Sequence, residues 1–177
     1  MYYLRRYTAL FALALGIFIC VAPAMAARYV TWEGFEADKL ASIWLIKRHI
    51  DHDATFVFLA PGTKPTSDIP FDTPYGALAR RPNRASFEVI LSHYRLTDPG
   101  IVKIARYIHD LEINIWENKK YPQSRDIRRF VAILLSGKKT PQDIIDETLP
   151  FFDQLYKKSL PPDDQGRINV ENKPELP

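Results

Sequence analysis

The chain is almost without cysteine. Its one thiol, Cys20, lies inside an apolar run near the N-terminus, and none follows. Disulfides, thiolate metal sites and thiol nucleophiles are therefore excluded from everything after that run, which must be stabilised by packing alone. A strong charge of one sign is also missing: the formal net charge is only +3, too little for a general pull toward nucleic acid or anionic lipid. There is no glycine-rich phosphate loop, no nucleophile elbow and no Ser-His-Asp context. Internal repeats and extended low-complexity tracts are absent as well. The apolar run from Ala9 to Ala22 is too short to cross a bilayer comfortably.

That run has another use. Arg5 and Arg6 place positive charge before it, Pro23 stops it, and Ala24-Met25-Ala26 puts small residues at the two positions of an A-x-A cleavage site. Residues 1–26 read as a cleavable secretory signal for the general route, and the mature chain is expected in the periplasm or secreted. Cys20 should leave with the signal, since the bulky Ile19 before it does not suit a lipoprotein site. Loss of Arg5 and Arg6 lowers the charge from +3 to +1. No nucleic-acid partner is expected, nor a membrane once the signal is cleaved. The 151 residues that remain of 177 suffice for one domain with a real core.

Residues 28–32 and 55–59 are rich in β-branched and aromatic side chains and read as strands. Between them, from Asp38 to about Ile50, apolar residues surround most of a helical circumference, as in a helix buried on several sides. Residues 60–84 are broken by Pro61, Gly62, Pro65, Pro70, Pro74, Gly76 and Pro82. They read as a long irregular segment with one short strand near Ile69 to Asp72. Phe87, Ile90, Leu91 and Tyr94 mark a short helix with Ser86 as N-cap. Asp98-Pro99 opens a helix carrying Ile101, Ile104, Ala105, Ile108 and Leu111. Ser124 begins another that Gly137 should end, and Thr140-Pro141 opens a last one in which Pro150 should produce a kink or a split. The expected fold is α+β and mainly helical, with about five helices and a small β-sheet. The domain should occupy residues 27–159, followed by a loose, proline-rich tail over 160–177.

Two groups of residues could carry chemistry. His109 and Glu112 share a helix face, and with Glu88 and Asp110 they form one imidazole and three carboxylates, a set suited to a divalent Zn, Mn or Fe ion. Read blandly, His109 is a hydrogen-bonded structural residue. Arg80, Arg81 and Arg84 lead into the start of the helix near Ser86, where guanidinium groups beside free helix N–H groups would hold an oxyanion; otherwise this is a solvated basic loop. Trp32, Trp44 and Trp116 are expected in the core or, for Trp116, at its edge.

The stretch from Asp38 to Asp51, DKLASIWLIKRHID, resembles the "DRIAS-WLIRRFID" segment of the ChrB chromate-resistance family. Phe71-Asp72, Arg84, Phe87-Glu88 and Ile108 through Glu112 resemble its later blocks in order and spacing, and Phe152 through Tyr156 its closing helix. The resemblance implies the family's C-terminal domain in an exported form, associated with chromate resistance. Asp38, Ser42, Trp44, Arg48, Asp51 and Asp72 then become shared structural or site residues. Where relatives carry a pattern like T-H-x-G-D-R-C-x-F-E, this chain has Arg80 for the histidine and Ala85 for the cysteine. If that histidine binds metal in relatives, a ligand is replaced here by a cation.

Three functions are compatible with these residues. One is an accessory protein of oxyanion or metal stress that binds a small oxyanion or a metal ion. Another is a metal-dependent enzyme of unknown reaction. The third is a structural or partner-binding domain in which Asp38, Arg48, Asp51 and Asp72 form mutually satisfied buried ion pairs. Oligomeric state is left open by the sequence.

Overall fold

The computed structural model describes residues 26–162. The expected signal, apart from Ala26, and the expected tail beyond residue 162 lie outside the described residues. The elements run β1 (Arg28–Trp32), α1 (Ala37–His49), β2 (Thr55–Leu59), β3 (Ile69–Pro70), α2 (Ser86–His93), α3 (Pro99–Glu112), α4 (Pro122–Leu134) and α5 (Pro141–Ser159). This is the mainly helical α+β architecture that the sequence pattern predicts, with its small sheet.

The sheet is wholly parallel, in the order β2-β1-β3. Arg28 pairs with Thr55 and Trp32 with Leu59, while Tyr29 and Val30 pair with Ile69 and Pro70. The first strand is thus the middle one, and α1 is the crossover that a parallel β1–β2 pair needs. Tyr29 points into the helical side of the sheet, where its ring meets Phe56 and Phe71.

α1 has no solvent face over most of its length: every residue from Ala37 to Ile46 is buried. That explains its all-round apolar pattern. Trp44 stacks on Phe152 with centroids 5.8 Å apart and donates its indole N–H to Asp153 at 2.8 Å. Arg48 grips the same carboxylate with two nitrogens, at 3.1 and 2.9 Å. α1 and α5 are thereby fastened by stacking, a buried donor and a forked ion pair.

α3 starts as its sequence dictates. The Asp98 carboxylate accepts from Ile101 N–H at 3.0 Å, with Pro99 in the first turn. Gly100 is required because a Cβ there would lie 2.7 Å from the Tyr156 ring, so its bare backbone sets the approach of α3 to α5. Leu160, which composition assigns to the tail, is buried.

Several expectations are corrected. Pro150 does not split α5, which runs unbroken from Pro141 to Ser159. The proline is exposed while Ile145, Thr148 and Phe152 continue the packed side, so the carbonyl it leaves without a donor faces water. Ser86 is the first helical residue of α2 and not its cap, because a carboxylate from α1 takes its N–H. α4 begins at Pro122, two residues before Ser124, and ends before Gly137. Trp116 is 73% exposed and neighbouring Ile115 is 88% exposed, so neither belongs to the core or its edge.

Nor do Asp38, Arg48, Asp51 and Asp72 pair with one another. Asp38 caps α2, Arg48 holds Asp153, and Asp51 accepts Ala27 N–H at 2.9 Å and Asp53 N–H at 3.0 Å. Asp72 accepts the Ser86 hydroxyl at 2.7 Å and lies 3.7 Å from the Lys39 amine. Asp38 and Asp72 meet at Ser86, one taking its N–H and the other its hydroxyl, while Asp51 holds the start of β1, so the acids tie separate parts of the chain together and not to one another.

Candidate functional site

The site is built on the contact between α2 and α3. Glu88, in the first turn of α2, folds back to accept Ala85 N–H at 2.8 Å. This is half of a capping box, since alanine has no oxygen to return. The same carboxylate meets Nδ1 of His109 on α3, at 3.0 Å from Oε2 and 3.2 Å from Oε1. A carboxylate only accepts, so Nδ1 carries the hydrogen and donates, and the ring presents Nε2 to whatever binds. Glu88, which is held at both ends, sets the orientation of His109.

Both residues line a cavity of about 430 Å³, together with Asp110, Val102, Arg106, Lys120 and Tyr121. Arg106 precedes His109 by three residues on α3, and among the described residues its guanidinium makes no hydrogen bond or ion pair. The Lys120 amine lies 5.5 Å over the Tyr121 ring. The rim therefore carries two cations beside an oriented imidazole, above a wall formed partly by Val102 and Ala105.

The four residues expected to share a metal do not converge. Asp110 is buried and turned toward the α3–α4 loop, accepting from Asn114 Nδ2 at 2.9 Å, Lys120 N–H at 3.0 Å and Tyr121 N–H at 3.1 Å. Burial pushes its carboxyl up, but these hydrogen bonds outweigh it and bring the pKa down to about 2. Glu112 is engaged by Arg80, which approaches its Oε2 to 3.3 Å and donates to its backbone carbonyl at 2.7 Å. Burial raises the Glu112 carboxyl, as does the charge of Glu36. Among the described residues no group of three His, Cys, Asp or Glu side chains is placed to hold a metal ion. Glu88 and His109 are the part of the set brought together.

The arginine loop is likewise divided. Arg80 closes onto the end of α3, and Arg84 donates to Glu88 O at 2.7 Å and to the Ser92 hydroxyl. Arg81 is exposed, its backbone paired with Arg84. The helix N-terminus that should have joined them is occupied: Asp38 accepts Ser86 N–H at 2.7 Å and Phe87 N–H at 2.8 Å. A carboxylate of the chain itself takes the place that a dissolved oxyanion would need. Arg80 fastens the loop to the end of α3.

Two residues escaped sequence reading. Arg106 could have been found by its spacing from His109. Lys39 could not, since a lysine on a helix ordinarily reaches solvent. Here it is 5% exposed, and its amine donates to the Trp32 and Gly34 carbonyls at 2.8 and 2.6 Å. Beneath it, burial and the charge of Asp72 push the Asp38 carboxyl up to about 7, and burial raises Asp72 as well.

Fold and site together define a class: a mainly helical α+β domain in which a carboxylate-oriented histidine lines a basic-rimmed cavity. The chain matches the family model "ChrB, C-terminal domain" over residues 29–159, and it belongs to that family. It is similar to Protein ChrB of Cupriavidus metallidurans, with 28% identity over 134 residues, which cover 73% of this chain and 40% of that protein. The chain thus spans about two fifths of the length of this curated relative. No solved structure matches it.

Proposed function

We propose that this chain is an exported accessory protein of chromate resistance that holds a small oxyanion against His109. The observation that carries the reading is the Glu88–His109 pair, 3.0 Å apart, in the wall of a cavity rimmed by Arg106 and Lys120. A tetrahedral dianion needs donors from several directions; two cations provide them, and Nε2 of His109 adds another in the imidazolium form, in which both ring nitrogens donate. The negative charges nearby are already engaged, Glu88 by His109 and Ala85 N–H, and Asp110 by backbone amides. Membership of the ChrB family supports the link to chromate. Export rests on the signal-like residues 1–26, and periplasmic protein beginning at Ala27 would support it. A resident metal ion is the weaker reading, because Glu88 and His109 offer two donors where a structural or catalytic site uses three or four.

The test is calorimetric titration of residues 27–177 with chromate and, separately, sulfate. Binding should weaken as salt rises and be lost in Arg106→Ala and His109→Ala, while circular dichroism and Tm are kept. Absence of heat with both anions, or binding indifferent to both substitutions, overturns the proposal. A near-stoichiometric metal in chelator-free protein, lost in His109→Ala, would restore the metal reading.

A further inference from the structure

A tetrahedral oxyanion takes about the room of two waters, roughly 60 Å³. The cavity beside His109 measures about 430 Å³. An ion held at its rim would leave most of that space unfilled. Several hundred Å³, with an apolar wall and a few polar groups, is the range of sites that enclose an organic molecule.

The wall is graded along α3. Val102, Ala105, Arg106 and His109 fall at i, i+3, i+4 and i+7, so they form one stripe about 10 Å long. Its first two residues are aliphatic and its last two are a guanidinium and an imidazole. The α3–α4 loop meets the polar end. Asp110 accepts the backbone amides of Lys120 and Tyr121, which fixes Lys120 at the level of His109. The two carboxylates in the wall are engaged, Glu88 by His109 and Asp110 by these amides and Asn114. At the other end Val102 and Ala105 are only half-buried and carry nothing polar.

We propose that the preferred occupant is an organic oxyanion: a monoester whose tetrahedral head meets Arg106, Lys120 and His109 and whose apolar body lies along Val102 and Ala105. This rests on the oxyanion reading above and names its ligand class. An uncharged molecule would leave Arg106 without a counter-charge, and a bare oxyanion would leave Val102 and Ala105 facing water. The monoester answers both. Chromate and sulfate carry the head alone and occupy only the polar end. Burial of the body adds affinity without adding charge, so that gain persists in salt while the contribution of the head falls.

The test is calorimetric titration of residues 27–177 with methyl phosphate and phenyl phosphate, which share a head group and differ in the body. Phenyl phosphate should bind about 10–100-fold more tightly, as burial of a ring predicts. That ratio should hold as salt rises, and phenyl phosphate should displace chromate. Ala105→Phe, which fills the aliphatic end, should bring the ratio close to one, and Val102→Thr, which makes that end polar, should lower it. Methyl phosphate affinity, circular dichroism and Tm should stay unchanged in both variants. Arg106→Ala should weaken both esters alike. Equal affinity for the two esters, with chromate still bound, overturns this inference and leaves the small-oxyanion reading standing. Heat with phenyl phosphate but none with chromate or sulfate supports the inference and overturns the chromate reading. An advantage of phenyl phosphate that survives both Ala105→Phe and Val102→Thr places the body elsewhere and overturns the inference. Absence of heat with every anion overturns both.

Discussion

Asp38 and Phe87 are joined across 49 positions of sequence by a carboxylate–amide hydrogen bond of 2.8 Å. Through it the start of α1 caps the start of α2, and the helix that carries Glu88 is anchored to the most buried helix of the domain.

The anchor is sensitive to pH. Burial, with the charge of Asp72, raises the Asp38 carboxyl from 3.8 to about 7. Stability from a group whose folded pKa is raised is fully present below the unfolded value and is lost as pH rises through the folded one. Between pH 3.8 and about 7 the Asp38 carboxyl therefore subtracts progressively from stability. Urea midpoints across that window should fall less steeply for Asp38→Asn than for the unaltered chain. Some slope remains, because the Asp72 and Glu112 carboxyls are raised too. Equal slopes in both proteins would contradict the assignment.

Lys39 is the cation of the same region. Lys39→Met should cost about 3–5 kcal/mol, because it leaves the buried Asp72 without its charge partner and two carbonyls without a donor. Adding Asp72→Asn should recover part of that loss, which a double-mutant cycle in urea would measure.

Asp110 holds the α3–α4 loop by three hydrogen bonds, two of them from backbone amides. Asp110→Ala should cost about 1–3 kcal/mol by leaving the part-buried backbone donors of Lys120 and Tyr121 unmet. The unaltered carboxyl titrates at about 2, below its ordinary 3.8, so its contribution persists above pH 3.8 and disappears as pH falls through about 2. Acid unfolding followed by circular dichroism should lose that component in the variant.

The tryptophans should separate sharply. Trp44→Ala should cost about 3–5 kcal/mol, as expected for a large, fully buried ring. Trp116→Ala should change stability by less than about 0.5 kcal/mol and should remove the emission most accessible to iodide.

That contrast marks what the sequence can convey. β1 and β2 were legible to the residue because Tyr, Val, Thr, Phe and Leu in short runs have few alternatives to a strand. α3 was legible because Asp98-Pro99 is a complete start signal. Trp116 was misread because bulk alone does not report on which side of a loop a ring falls. In the site, Glu88 and His109 were legible only as members of a four-residue metal set, not as a hydrogen-bonded pair. The departure of Asp110 and Glu112 was not, since it depends on loop amides at Lys120 and Tyr121 and on Arg80, none adjacent in sequence. Lys39 was illegible for the same reason: its acceptors, the Trp32 and Gly34 carbonyls, exist only once the chain leaves β1 in the right direction.

The clasp between Trp44 and Asp153 spans 109 positions, from the first helix to the last. α1 precedes α5 in the chain and keeps its widest ring without a cover until Phe152 and Asp153 are free to fold against it. The domain can close only once α5 is available. A product truncated anywhere before α5 would be a substrate for chaperones and proteases, not a smaller working version of the protein.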